Sequence, residues 1–490
     1  MISMSIEIFL YLSNKHPLRD TILLNEIKIK EISEAFAQTL NSRDEKKFQE
    51  FIDQFWDTKV IEEEGSEELI DYFYGIIDEA ETIDIHETLF ENDTRLSIIF
   101  RNKSLEEWLK CVFVLSSNNP GTIDRIGMRQ IDPPKDVETV KILEKDLHHL
   151  LDTYITALHE KDLFSGAIIL MKESKIIYQW YKGFADKAFN IPHNSKIRFD
   201  LGSMGKMFTA LSIGKLVQDG RIQFEDTISS YLPELKIDQA DKITIHHLLT
   251  HTSGLGDIFC PEFYENKEKY IEIRDLVSLL ENKTLNFNPG EQFQYSNGGY
   301  DILGLIIEKI SGMSYFDFVR KHIFDPSNML DSDSFYIDDP IPNRAVGYTK
   351  IGVGIRKTRF TDWKINTRIA RKRGCAAGSG YSTIDDLIKF SEALKANKIL
   401  NQELFQTMTS AQVKRIENND RLFYGYGFGV SKFDNFYRYG HNGGSPGVNT
   451  YFGIYEPLGY TLIVLSNYDS PAAERVGKKF DSLLVNMEIK

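Results

Sequence analysis

Ser203-Met204-Gly205-Lys206 sets a hydroxyl and an amine three residues apart, and a helix brings positions i and i+3 onto one face, within hydrogen-bond reach. A serine hydroxyl is a weak nucleophile near neutral pH until an adjacent base takes its proton. The pair therefore predicts a serine hydrolase with Ser203 as nucleophile and Lys206 as its base. The same spacing recurs at Ser212-Ile213-Gly214-Lys215. Ser203 follows Asp200-Leu201-Gly202 at the mouth of a helix expected over 204–217, where unpaired N–H groups and the helix dipole favour developing negative charge. Ser212 falls on the opposite face and inside that helix, so its hydroxyl is expected to bond back to a carbonyl.

Two later motifs supply what such a nucleophile needs. In Tyr295-Ser296-Asn297, after Asn288-Pro289-Gly290-Glu291, the phenol serves as a base only where a nearby cation favours its anion. Lys206 is the natural cation, and Asn297 has an amide for substrate and a carbonyl for Lys206. Tyr264-Glu265-Asn266 competes, but it sits in a charged run, whereas Tyr295 precedes an apolar helix expected over 300–310. His441-Asn442-Gly443-Gly444-Ser445-Pro446-Gly447 follows a strand expected to end at Gly440. An edge strand offers backbone N–H groups to an oxyanion, and glycine permits close approach of a substrate. His247 and His251 stand four apart as in a zinc-binding HExxH helix, but Leu248 occupies the glutamate position, so no metal is expected. No cofactor is expected either.

These residues must be positioned by a large core, which 490 residues readily provide over two or three domains. Hydrophobic content of 42% and charged content of 27% are those of a soluble globular chain. The formal charge of −14 argues against nucleic-acid binding. Cys111, Cys260 and Cys375 have no disulfide or zinc spacing and read as free thiols. No secretory signal is read in residues 1–12 and no apolar run is long enough to span a membrane, so a cytoplasmic location is expected.

After an N-terminal segment (1–27), residues 28–132 carry helical spacing over 31–40, 44–56 and 66–80, then strand-like runs over 81–90, 95–100, 108–115 and 122–131. Helices followed by strands predict a small α+β domain. Asp132-Pro133-Pro134-Lys135 opens a linker and entry helix (133–149), and the rest, 150–490, is one domain. There a helix is expected over 137–159, strands over 166–171 and 175–181, and further strands over 424–430, 436–440, 449–454 and 460–465. A last helix covers 472–487. One sheet closed by both ends around a helical middle follows from that order.

Ser203-to-Lys206, Tyr295-to-Asn297 and His441-to-Gly443, in this order, resemble the serine β-lactamase and penicillin-binding-protein superfamily, over residues 150–485. The branch of class C-type β-lactamases, related esterases and D-Ala-D-Ala carboxypeptidases is the most similar. Phe199-Asp200-Leu201-Gly202, Leu248-Leu249-Thr250-His251-Thr252-Ser253-Gly254-Leu255 and Gly378-Ser379-Gly380-Tyr381-Ser382-Thr383 support it. The resemblance implies an antiparallel sheet flanked by helices, an acyl-enzyme on Ser203, and proton handling by Lys206 and Tyr295. It further implies substrate binding by Asn297, His441, Gly443 and Gly444, with the N–H groups of Ser203 and Gly444 as oxyanion hole. His441 stands where many relatives carry the lysine of Lys-Thr-Gly, which puts carboxylate recognition and β-lactam turnover in question. An ester, amide or peptide substrate is therefore expected, with carboxypeptidase, class C-type β-lactamase or a slowly acylated sensor as alternatives. Ala35-to-Asp44 with Asp124-Arg125-Ile126-Gly127 resembles nuclear transport factor 2-like (SnoaL-like) domains, a cone-like α+β fold. Finally, the basic run from Lys350 to Arg373 reads first as a solvated loop, with a rim of the site that attracts anions as the alternative.

Overall fold

The computed structural model describes residues 17–79, 83–92, 94–119, 121–351, 359–368, 371–417 and 419–488. The segment read for a signal, and Arg356 and Lys357 of the basic run, lie outside them. The chain divides into two compact units, Met1–Val140 and Lys141–Lys490.

Among the described residues the first unit has four helices, α1 (Pro17–Ser42), α2 (Glu45–Phe55), α3 (Thr58–Glu64) and α4 (Ser66–Glu79). They precede a four-stranded antiparallel meander of β1 (Ile83–Asn92), β2 (Arg95–Asn102), β3 (Glu107–Leu115) and β4 (Ile123–Ile131). Asp44 and Asp57 start α2 and α3 by accepting the N–H groups of Lys46 and Lys59. In α2 the residues Phe48, Phe51, Ile52 and Phe55 share one face and are buried. They meet Phe36, Phe73, Phe100 and Phe113 in a core rich in aromatic rings. Asn41 pairs with Ile83 through both its amide atoms, tying the end of α1 to the start of the sheet. The short α3, over residues given no element from the sequence alone, exists because Asp57 caps it.

The second unit is built on an eight-stranded antiparallel sheet. Its strands are β5 (Gly166–Lys172), β6 (Lys175–Lys182), β7 (Val413–Lys414), β8 (Leu422–Tyr424), β9 (Gly429–Lys432), β10 (Tyr437–Ser445), β11 (Val448–Glu456) and β12 (Tyr460–Ser466). They lie in the order β7-β8-β9-β10-β11-β12-β5-β6, so both ends of the unit meet at the β12–β5 pair. Strand β12 and nearly all of β11 are buried, as expected of strands covered on both faces. Tyr451 and Tyr455 point to helix α8 (Ala472–Val485), which packs with α5 (Glu144–Glu160). The alternate residues Phe452 and Ile454 join the main core on the other face, with Phe390 and the helices α6 (Lys206–Gln218) and α7 (Asn297–Ser311).

Three local expectations are corrected. The run 424–430 is two strands, not one, because Gly427 takes a positive φ of 79° and turns the chain between them. The entry helix begins at Glu144 rather than near 137. The His441 motif does not follow a strand but is its second half, since β10 pairs with β11 without a break from Tyr437 to Ser445. Among the described residues no helix is long and apolar enough to cross a membrane. All three cysteines are free, with Cys111 and Cys375 buried.

Candidate active site

Ser203 sits in a single 3-10 turn, Gly202–Gly205, that runs straight into α6. The turn is held from both sides. Ser379 N–H donates to Gly202 O (2.9 Å) and Leu201 N–H to Gly380 O (2.9 Å), while the Thr450 hydroxyl of β11 donates to Leu201 O (2.8 Å). Gly202 has φ +52°, and a Cβ there would lie 2.9 Å from the Gly444 nitrogen. Only glycine lets the turn approach β10 so closely. Gly444 N thus borders the nucleophile turn, whereas Gly443 faces Leu201 and Thr450 and is covered by them rather than by open site. Asp200 accepts the Gly202 N–H at 2.8 Å, and burial pushes its carboxyl up to about 6.

Lys206 is fully buried, and its nitrogen meets three oxygens: Ser203 Oγ at 3.2 Å, Asn297 Oδ1 at 2.7 Å and Ala377 O at 2.5 Å. Asn297 Oδ1 and Ala377 O can only accept, so two Lys206 N–H bonds point at them. The third direction is left to Ser203, where a neutral amine takes the hydroxyl proton and an ammonium returns one. Asn297 is oriented by a second bond, its Nδ2 donating to Asp257 Oδ2 at 2.9 Å, so one of the two amide hydrogens expected for substrate is already engaged. The Ser212 hydroxyl instead donates to Phe208 O at 2.8 Å in the helix interior.

Tyr295 lies beside this pair without being bonded to it. Lys206 Nζ is 4.7 Å from its ring centroid, and its hydroxyl is buried with no hydrogen-bond partner among the described residues. Beneath it His251 lies ring to ring at 4.1 Å, with Nδ1 accepting the Ser296 N–H at 3.1 Å. Burial, reinforced by the Lys206 charge, holds the His251 imidazole well below its ordinary range. The residue has left the helix that carries His247, and takes a positive φ of 59°. It braces the tyrosine.

His441 points inward from β10 and is 7% exposed. Its Nδ1 lies 2.6 Å from Asn442 O and its Nε2 2.8 Å from the Tyr424 hydroxyl. The carbonyl only accepts, so Nδ1 carries the proton and Nε2 accepts from Tyr424. Burial, with Lys206 adding repulsion, brings its pKa down to about 3. The imidazole is neutral, with both nitrogens engaged. Asn442 faces away and donates to Glu474 Oε1.

At the end of the basic run the three described residues Arg371, Lys372 and Arg373 are each engaged. Arg371 is turned inward with Nη1 on Cys375 Sγ, Lys372 pairs with Glu268, and Arg373 lies 3.6 Å over the Phe316 ring while donating to Ser334 O. Ala377, His251, Tyr424 and Asp257 escaped sequence reasoning as site residues. Ala377 acts through its carbonyl, which no side-chain pattern reports. His251 stands within the Leu248-to-Leu255 motif but carried only a metal reading.

A family model described as Beta-lactamase matches residues 151–486. The chain is 32% identical over 327 residues to a penicillin-binding protein of Bacillus subtilis (strain 168), covering 65% of this chain and 71% of that one. Among solved structures it is similar to the penicillin binding protein from Bacillus halodurans, with TM-score 0.60, 28% identity and coverage of 67% of this chain and 99% of that one. It is also similar to the D-amino acid amidase from Ochrobactrum anthropi SV3 complexed with D-phenylalanine, with TM-score 0.57, 25% identity and coverage of 70% and 98%.

Proposed function

The chain belongs to the beta-lactamase family, and on that footing we propose that it is a serine hydrolase that turns over esters or amides through an acyl-Ser203 intermediate. One observation carries the reading: Lys206 Nζ is 3.2 Å from Ser203 Oγ while its other two bonds are fixed elsewhere. In this scheme Ser203 Oγ attacks the carbonyl carbon and its proton passes to Lys206. The oxyanion is met by the N–H groups of Ser203 and Gly444. The alcohol or amine leaves with a proton relayed from Lys206, with Tyr295 as the second proton carrier. Water then adds to the acyl carbon, loses its proton to the same groups, and frees the acid and Ser203.

His441 supports the choice of substrate. A neutral, doubly engaged imidazole at the position of the relatives' lysine offers no cation to a substrate carboxylate. Esters and amides without a carboxylate next to the scissile bond fit better than β-lactams or peptide C-termini. The penicillin-binding relatives and the D-amino acid amidase keep amide substrates in view. The first unit we read as a nuclear transport factor 2-like module, supported by its helices-then-sheet order; it shows no comparable acid–base set among the described residues.

Intact mass after incubation with a fluorophosphonate and, separately, a penicillin tests the reading. A single adduct on wild type with the fluorophosphonate, none on Ser203→Ala, and none with penicillin is the expected result. Absence of the first adduct would overturn the hydrolase assignment; adducts with both reagents would return the substrate to cell-wall chemistry.

A further inference from the structure

Lys206 is held by one oxygen that belongs to no catalytic motif, the Ala377 carbonyl, and that carbonyl is itself held. Asp301 is fully buried one turn after Asn297 on α7, and its Oδ1 accepts the Ala377 N–H at 3.1 Å. The neighbouring peptide is fixed as well, since the Thr209 hydroxyl donates to Ala376 O at 2.6 Å. Residues 297 and 301 share a helix face, so α7 grips Lys206 twice, directly through Asn297 Oδ1 and indirectly through Asp301 and the Ala377 peptide. The same loop backs the nucleophile, because a Cβ on Gly378 would lie 3.0 Å from Ser203 Cα.

Burying a carboxylate is costly unless something there uses its charge or its bonds. Asp301 Oδ2 has no conventional hydrogen-bond partner among the described residues, and burial raises its carboxyl above the ordinary carboxylate range, with Arg371, the Cys375 thiol and Lys206 opposing that shift. A neutral side chain would satisfy the Ala377 N–H equally well. What favours the ionised carboxylate there is the cation beside it, Arg371 and the amine that becomes an ammonium when Ser203 gives up its proton.

We propose that Asp301 is a positioning residue for the Ser203–Lys206 pair. Its carboxylate locks the Ala377 carbonyl onto Lys206, and its negative charge stabilises the ammonium formed as Ser203 attacks. This rests on the hydrolase reading above. Asp301 touches neither substrate nor nucleophile and acts only through the 377 peptide and the field at Lys206.

The test is the acylation rate constant by fluorophosphonate, per titratable site, in wild type, Asp301→Asn and Asp301→Ala across pH. Asp301→Asn keeps an acceptor for Ala377 N–H and removes the charge. It should slow acylation by about 10- to 100-fold, part of the 10²–10⁴ a positioned proton acceptor supplies, with its pH profile displaced and KM for an ester held. Asp301→Ala, losing both contributions, should fall further. A normal rate and profile in Asp301→Asn, or a loss explained wholly by fewer titratable sites, would overturn the proposal. If neither variant folds, Thr209→Val loosens the adjacent carbonyl without touching a charge, and an unchanged rate per site there overturns it equally. Failure of wild type to acylate at all would instead sink the hydrolase reading.

Discussion

Lys206 and His441, two of the buried bases around Tyr295, are treated by their surroundings in opposite ways. Lys206 is met by three oxygens, two of them obligate acceptors, with the Asp301 carboxylate beyond. His441 is met by one carbonyl and one phenol, which together satisfy a neutral ring, so a second proton would have no carboxylate or carbonyl to meet at Nε2. The lesson is that the acceptors placed around a buried base decide whether a proton brought to it finds partners: Lys206 has them and His441 lacks them. In the proposed mechanism proton transfer is concentrated at Lys206, and position 441 is left uncharged.

Replacing Lys206 gives the sharpest break. Lys206→Met removes the group hydrogen-bonded to Ser203 Oγ and takes a partner from Asn297 Oδ1 and Ala377 O. Ester turnover should fall by about 10³- to 10⁴-fold with Ser203 still present. Stopped-flow release of p-nitrophenol reads it, and retention of more than a tenth of the rate would mean that another base serves Ser203.

His441 gives the next largest effect, on stability. Its pKa is about 3 in the fold against an ordinary value of 6.5, so between those pH values the unfolded chain binds more protons. Stability is therefore fully present above pH 6.5 and is lost as pH falls toward 3, by up to about 4–5 kcal/mol for a fully buried ring. Urea melts from pH 7 down to pH 4 should show a steep acid loss that His441→Gln makes shallower. His193, lowered to about 4 by burial, and His251 retain slopes of the same sign. Equal slopes in both proteins would mean that His441 is reached by solvent.

The contrast was only half legible in the sequence. Ser203, Lys206, Tyr295 and Asn297 announce themselves because their chemistry depends on side-chain type at fixed spacing, and β5, β11 and β12 because apolar runs show their burial. What surrounds them is carried by atoms that leave no such trace. The Ala377 carbonyl belongs to an alanine, and Asp301 reads as one more acid in an apolar helix. The engagement of His441 depends on Tyr424, from a strand paired elsewhere, and on the carbonyl of its own neighbour. The described end of the basic run shows a related limit. Composition counts charges, but Arg371, Lys372 and Arg373 are claimed by Cys375, Glu268 and the Phe316 ring, contacts made across distances that composition does not encode.

The smallest effect probes whether the two bases can be made alike. His441→Lys puts an amine where relatives hold their motif lysine, with the Tyr424 hydroxyl as its one ready acceptor. Lys206 repels a second ammonium there, as it already disfavours the charged imidazole. The variant should therefore lose activity on a neutral ester. A substrate carboxylate would supply the missing partner, and a charge-assisted bond is worth roughly 1.5–3 kcal/mol. Offset by the repulsion, the ratio of kcat/KM for a carboxylated over a matched neutral ester should rise by about 10-fold. If both esters decline together, the ammonium has not reached the substrate, and the uncharged state of position 441 is a packing requirement rather than the feature that selects against carboxylates.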